Sequence, residues 1–180
     1  MSVNRIAARY AQTLISAAQE QNTLEETYQD LLEVQQLIEG NDELRRFLKS
    51  PVIQNAKKAD GIVAIFENHL KPLTVSYLRL ICEKGRAPQL SFIIRVVGEK
   101  YRVIKDITQV EVRSAASLND ESLQKLENSI RQLKGVRSKI EMNHSVHPEL
   151  VGGFVIQFED KVYDASVSHQ IQELRKIIAD

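Results

Sequence analysis

The sequence predicts an α plus α+β protein, with an N-terminal six-helix bundle over residues 1–105 and a small C-terminal α+β domain over 106–180, built on a short sheet and two helices. Two observations carry this. From Val3 to Ile104 apolar residues recur at three- and four-residue spacing, the period of amphipathic helices. After Asp106 the period falls to two, the alternation of strands with one face toward a core. With 180 residues, 43% of them hydrophobic, the chain can fill one medium core or two small ones, and the change of period favours two.

Val3, Ile6, Ala7, Tyr10, Ala11, Leu14, Ile15 and Ala18 form the first helical stripe, and Leu24, Tyr28, Leu31, Leu32, Gln35 and Ile38 the second. Gly40 is expected to end that helix in a left-handed conformation, after which Asn41 or Asp42 caps the next. Asp42 to Lys49 makes a short third helix that must stop at Ser50-Pro51, because a proline ring disfavours helical geometry in the preceding residue. Asn55 to Asn68 and Pro72 to Glu83 are the fourth and fifth, with Pro72 in a first turn, where its missing donor does no harm, and Gly85 as a terminator. Starting near Pro88, the sixth carries Leu90, Ile93, Ile94, Val97, Tyr101 and Ile104.

Val110, Val112 and Ser114 alternate with Glu111 and Arg113 in a first strand. A helix follows from Asn119 to Leu133, with Asn119 as cap and Asp120 and Glu121 in its first turn. Ile140, Met142, His144 and Val146 predict a strand with one buried face, and Phe154, Ile156 and Phe158 another. A turn near Glu159-Asp160-Lys161 leads into a short strand, and Ser166 to Ile178 closes the order with a helix.

Charge excludes several functions. The formal net charge is zero, so no excess drives sequence-independent binding to phosphate backbones or anionic lipid. The first 105 residues hold 15 basic against 12 acidic residues and the remainder 9 against 12, a mild difference in sign. The single cysteine, Cys82, excludes an intramolecular disulfide, fits a reducing compartment and is read as a small buried hydrophobe. No apolar run approaches the roughly 20 residues of a membrane helix. Met1 to Gln19 is free of acids and carries Arg5 and Arg9, as targeting peptides do, but it merges with the bundle periodicity and is read as mature structure.

Catalytic groupings are equally sparse. Neither a phosphate-cradling GxxxxGK[ST] nor a GxGxxG loop occurs, and Gly152-Gly153 is read as a tight turn into Phe154. His144 and His147 stand three apart without the third ligand a zinc site needs. Asp164, Ser166 and His169 contain the residue types of a hydrolytic triad, yet Ser166 falls where the last helix needs its cap and no nucleophile elbow surrounds it. Arg131, Lys134, Arg137 and Lys139 are flanked by Glu127 and Glu141 with no interleaved aromatic, which suits a solvated turn. No cofactor or metal is expected.

Three segments of the helical half carry a resemblance: Arg9-Tyr10-Ala11 with Leu14, Phe47-Leu48-Lys49-Ser50-Pro51, and Glu83-Lys84-Gly85-Arg86. In the second half it rests on Val112-Arg113-Ser114-Ala115 with Leu118, His147-Pro148-Glu149-Leu150-Val151-Gly152-Gly153, and Asp164-Ala165-Ser166-Val167. In this order, across nearly the whole chain, they resemble the delta subunits of F-type ATP synthase, whose mitochondrial relative is the oligomycin-sensitivity-conferring protein. His147 departs from the aspartate common before that proline in the family, with the turn itself preserved.

The resemblance implies a non-catalytic stator, peripheral to the cytoplasmic face of a bacterial cell membrane. The helical domain would grip the N-terminal helix of an alpha subunit of the catalytic head, and the second domain the b subunits of the peripheral stalk. It places the alpha-subunit helix against the first and fifth helices, here the stripes Arg5 to Ile15 and Leu73 to Ile81. Arg5, Arg9, Tyr10, Leu14, Leu73, Tyr77 and Leu80 are therefore candidate binding residues. For Tyr10, Leu14, Leu73, Tyr77 and Leu80 the alternative is plain core packing, which the same periodicity predicts. Ser50, Pro51, Gly85, Arg86, Gly152, Gly153, Asp164 and Ser166 are expected to serve as structural motifs. A dispersed-site enzyme and a small RNA-binding or other helix-binding adaptor are the competing readings.

Overall fold

The computed structural model describes residues 3–132, 136–158 and 160–179. The chain forms two compact units, Met1–Tyr101 and Arg102–Asp180. Its helices are α1 (Val3–Glu20), α2 (Leu24–Gly40), α3 (Asp42–Lys49), α4 (Asn55–Phe66), α5 (Pro72–Glu83), α6 (Leu90–Ile104), α7 (Asp120–Arg131) and α8 (Val167–Ala179). The strands are β1 (Ile107–Ser114), β2 (Lys139–Val146), β3 (Phe154–Phe158) and β4 (Lys161–Asp164).

In the first unit the apolar stripes converge on one core, centred on Leu14, Ile15, Leu31, Ile62, Phe66, Leu78, Ile81 and Leu90. Helix ends are tied by polar groups reaching in from elsewhere in the chain. Asp30, 9% exposed on α2, accepts hydrogen bonds from the Lys71 amide (2.9 Å) and the Thr74 hydroxyl (2.6 Å), and so caps α5, which has no cap of its own. Lys58, 3% exposed, donates from Nζ to the carbonyls of Leu48 (2.7 Å) and Ser50 (2.6 Å), satisfying the C-terminal end of α3. Tyr28 and Tyr101 stack with centroids 3.8 Å apart, and the Tyr101 hydroxyl donates to Glu25 at 2.6 Å.

Some boundaries differ from the expectation. Gly40 is the last residue of α2, with no left-handed φ; Asn41, extended at φ −126°, ends α2 and caps α3 by accepting from the Glu43 and Leu44 amides. α4 stops at Phe66, and Ala87–Gln89 forms a separate 3-10 turn before α6, since Pro88 supplies no amide hydrogen.

The second unit is a four-stranded sheet in the order β2-β1-β3-β4. β1 runs parallel to β2, joined through α7, and antiparallel to β3, which pairs antiparallel with β4. Val110, Val112, Ile156 and Phe158 line one face and pack with Leu126 and Ile130 of α7. The opposite face is polar, with Arg113 donating to Gln157 at 3.0 Å and lying 3.6 Å from Glu111. β2 lies at the sheet edge, so Ile140, Met142 and His144 are only half-buried and Val146 is 47% exposed, short of the buried face expected. Asn119 caps α7 through the Ser122 amide at 2.9 Å. The expected helix end at Leu133, the turn residue Glu159 and the basic Lys134 lie outside the described residues.

Candidate partner-binding surface

The surface is built from α1, α5 and the turn after α5. Helical periodicity sends Ala7, Ala11, Leu14, Ile15 and Ala18 of α1 into the core and leaves Arg5, Arg9, Gln12 and Thr13 exposed, with Ile6 and Tyr10 at the margin. On α5, Thr74, Tyr77, Leu78, Ile81 and Cys82 are buried, while Leu73, Val75 and Leu80 are half-buried. The candidates thus fall into three groups. Arg5 and Arg9 face solvent; Tyr10, Leu73 and Leu80 are half-buried; Leu14 (1% exposed) and Tyr77 (4%) lie in the core.

The turn after α5 gives Arg86 its place. Gly85 adopts φ +69°, its amide bonds to the Cys82 carbonyl and the Arg86 amide to Ile81, the pair of contacts that reverses a chain at a helix end. A Cβ on Gly85 would lie 3.0 Å from the Asn55 amide nitrogen, so position and conformation both select glycine. Arg86 thereby joins Ile6, Arg9 and Tyr10 of α1 around a recess of about 390 Å³. Neither Ile6 nor a binding part for Arg86 was expected from the sequence; the Gly85-Arg86 motif was the available signal.

Beneath the surface, the Tyr77 hydroxyl is buried without a hydrogen-bond partner among the described residues. Burial first, and the nearby Tyr10 phenol second, push its pKa well above the usual tyrosine range. Cys82 is a free, fully buried thiol; burial pushes its pKa up to about 11 against the lowering pull of Lys58. A thiol so protonated is poorly nucleophilic near neutrality.

The remaining motifs do structural jobs. Ser50 ends α3 and accepts from Lys58, while Pro51 is exposed. Gly153, at φ +75°, leaves room where a Cβ would lie 2.2 Å from the Ala165 carbonyl oxygen, and the Gly152 carbonyl accepts from the Val167 amide at 3.0 Å. Asp164 accepts from the Ser166 amide (2.9 Å) and Ser166 from the His169 amide (3.2 Å), an arrangement that anchors the start of α8. The Ser166 hydroxyl first, and its amide second, hydrogen-bond to the Asp164 carboxyl and hold it below its ordinary pKa. The serine hydroxyl is thus a helix cap held by its neighbours in the chain, with the His169 ring placed 4.0 Å from Asp164. His144 bonds instead to Ser114 at 2.6 Å, and His147 to Glu149 at 2.6 Å.

Beyond its anchor, α8 exposes Val167 (37%), Ile171 (41%) and Leu174 (58%), one row at helical spacing, and Val151 (71%) is exposed on the loop before β3. Among the described residues no helix is long and apolar enough to cross a membrane.

The family model for the ATP synthase delta (OSCP) subunit matches residues 6–178. The ATP synthase subunit delta of Chlorobaculum tepidum is 32% identical over 177 residues, spanning 97% of this chain and 96% of the relative. That of Christiangramia forsetii is 27% identical over 180 residues, spanning 100% and 96%. A chain of the Toxoplasma gondii mitochondrial ATP synthase hexamer shares the fold, with a TM-score of 0.77 at 21% identity over 100% of this chain and 99% of that one.

Proposed function

Since the chain belongs to the ATP synthase delta (OSCP) subunit family, we propose that it is a non-catalytic peripheral-stalk subunit of an F-type ATP synthase, linking the catalytic head to the membrane-anchored b subunits so that rotor torque drives ATP synthesis coupled to proton transport. The unit Met1–Tyr101, a six-helix bundle, takes the N-terminal helix of an alpha subunit in the α1/α5 groove. The unit Arg102–Asp180 takes the b subunits. The single observation that supports this most directly is the half-buried apolar set on α1 and α5. Ile6 and Tyr10 on α1 and Leu73 and Leu80 on α5 remain half-buried, the kind of apolar side chains on which the apolar face of an amphipathic helix docks. The exposed row Val167, Ile171 and Leu174 is the corresponding candidate for the b subunits. Attachment to the cytoplasmic face of the membrane would run through those partners.

Binding at nanomolar strength needs about −12 kcal/mol, and each fully buried apolar anchor contributes about 1.5–3 kcal/mol before ordering costs, so several anchors must act together. Titration of the full chain with a peptide from the N-terminus of its own alpha subunit should give saturable binding. Leu80→Gln and Leu73→Gln should weaken it while leaving helicity intact. Absence of binding at micromolar peptide with a folded protein would refute the groove assignment. The alternative of an RNA-binding or other helix-binding adaptor finds no support in a chain of zero net charge whose relatives are ATP synthase subunits.

A further inference from the structure

The recess between α1 and the turn after α5, lined by Ile6, Arg9, Tyr10 and Arg86, is chemically lopsided. α1 has no acidic residue before Glu20, and α5 none before Glu83, whose carboxylate lies 2.9 Å from Arg79. Elsewhere, arginines find carboxylates within the chain: Arg45 at 3.0 Å, Arg113 at 3.6 Å and Arg131 at 2.6 Å are examples. Arg9 and Arg86, which share one recess, have no carboxylate within ion-pairing distance among the described residues. Two guanidinium groups lining one hollow can offer an anion two partners at once. The Ile6 side chain and the Tyr10 ring give the same hollow apolar walls.

We infer that the groove is selective for a helix carrying an acidic side chain, whose carboxylate is taken by Arg9 and Arg86 while its methylene stem lies against Ile6 and Tyr10. This rests on the reading of the groove as a helix-docking site and adds the chemistry by which it chooses its helix. A carboxylate matches the guanidinium fork, and the partly apolar walls strengthen the pairing relative to open water. The Gly85 turn then acquires a second purpose. It ends α5 and also brings Arg86 to the recess that Arg9 lines. An apolar helix without the acid would fill the groove and leave the two charges facing each other, a penalty that discriminates against wrong partners.

The test is a double-mutant cycle on the full chain. The probe is the N-terminal peptide of the cognate alpha subunit, alongside versions in which each Asp or Glu is changed singly to Asn or Gln. One such change should raise Kd by about ten- to a hundredfold. Arg86→Gln should raise it comparably for the unmodified peptide and add little for the critical amide variant, with Arg9→Gln behaving alike. Circular dichroism and melting confirm that these surface variants stay folded. If the unmodified peptide binds but every amide variant binds within about twofold of it, or both arginine variants bind it normally, the acidic-side-chain inference is overturned although the groove reading stands. If the unmodified peptide fails to bind, the groove reading falls and takes this inference with it.

Discussion

A few polar side chains carry more of this fold than their number suggests. Lys58 is the clearest case, because its ammonium group is buried against two carbonyls at the end of α3. Lys58→Met keeps the stem and removes the donor, leaving two buried acceptors unsatisfied. A loss of about 1–3 kcal/mol is expected, read from the denaturant midpoint. Asp164 bears on pH. Its pKa is depressed by hydrogen bonds from Ser166, so its contribution is fully present above the ordinary carboxylate range and is lost as pH falls through the depressed folded-state value. An NMR titration of the Ser166 amide should therefore show the start of α8 loosening only in strong acid. A midpoint at or above the ordinary carboxylate value would contradict the geometry.

At the scale of elements, the ends carry the information. Gly85 and Gly153, the two positive-φ glycines among the described residues, occupy unlike surroundings, and the difference sets an order of severity. At Gly85 the nearest atom to an added Cβ is the flexible Asn55 amide, so Gly85→Ala should cost about 1–2 kcal/mol, chiefly from backbone conformation. At Gly153 the obstacle is a backbone carbonyl at 2.2 Å in the segment that starts α8. Gly153→Ala should be clearly more damaging, by more than about 2 kcal/mol, and should release α8 selectively, as faster amide exchange there would show. Equal effects at the two sites would contradict this account.

For the whole molecule, the two units differ in how much core each commands. The first buries large side chains from all six of its helices, whereas the second rests on Val110, Val112, Leu126, Ile130, Ile156 and Phe158 with half-buried neighbours. A domain with so small a core is marginal by size. Chemical denaturation followed by probes in each unit should show the second unfolding at lower denaturant. A single coincident transition would mean that the units unfold as one.

Much of this architecture could be read without coordinates. The residues of each helix stripe, the Asn119 and Ser166 caps, the Gly85 terminator and the alternation in β1 and β3 follow from local rules in which a residue answers to neighbours three, four or two positions away. Gly40 departs from the expectation because the local rules offer two solutions, a left-handed glycine or an extended Asn41 that caps the next helix, and the chain takes the second. The even burial expected for β2 failed because alternation reveals which face points inward but not that the strand lies at the edge. The candidate site divides in the same way. Periodicity found the stripes of α1 and α5 but could not separate Leu14 and Tyr77, which are buried in the core, from Tyr10, Leu73 and Leu80, which are half-buried, since all repeat at helical spacing. What the sequence determined by itself is the set of elements, the family and the apolar stripes, because these depend on contacts close along the chain. Tertiary structure alone decided that Asp30 caps a helix some forty residues away, that Lys58 seals α3, and that Arg86 meets Arg9. Those meetings depend on how helices cross, and crossing is settled by the fit of whole surfaces rather than by any spacing in the chain.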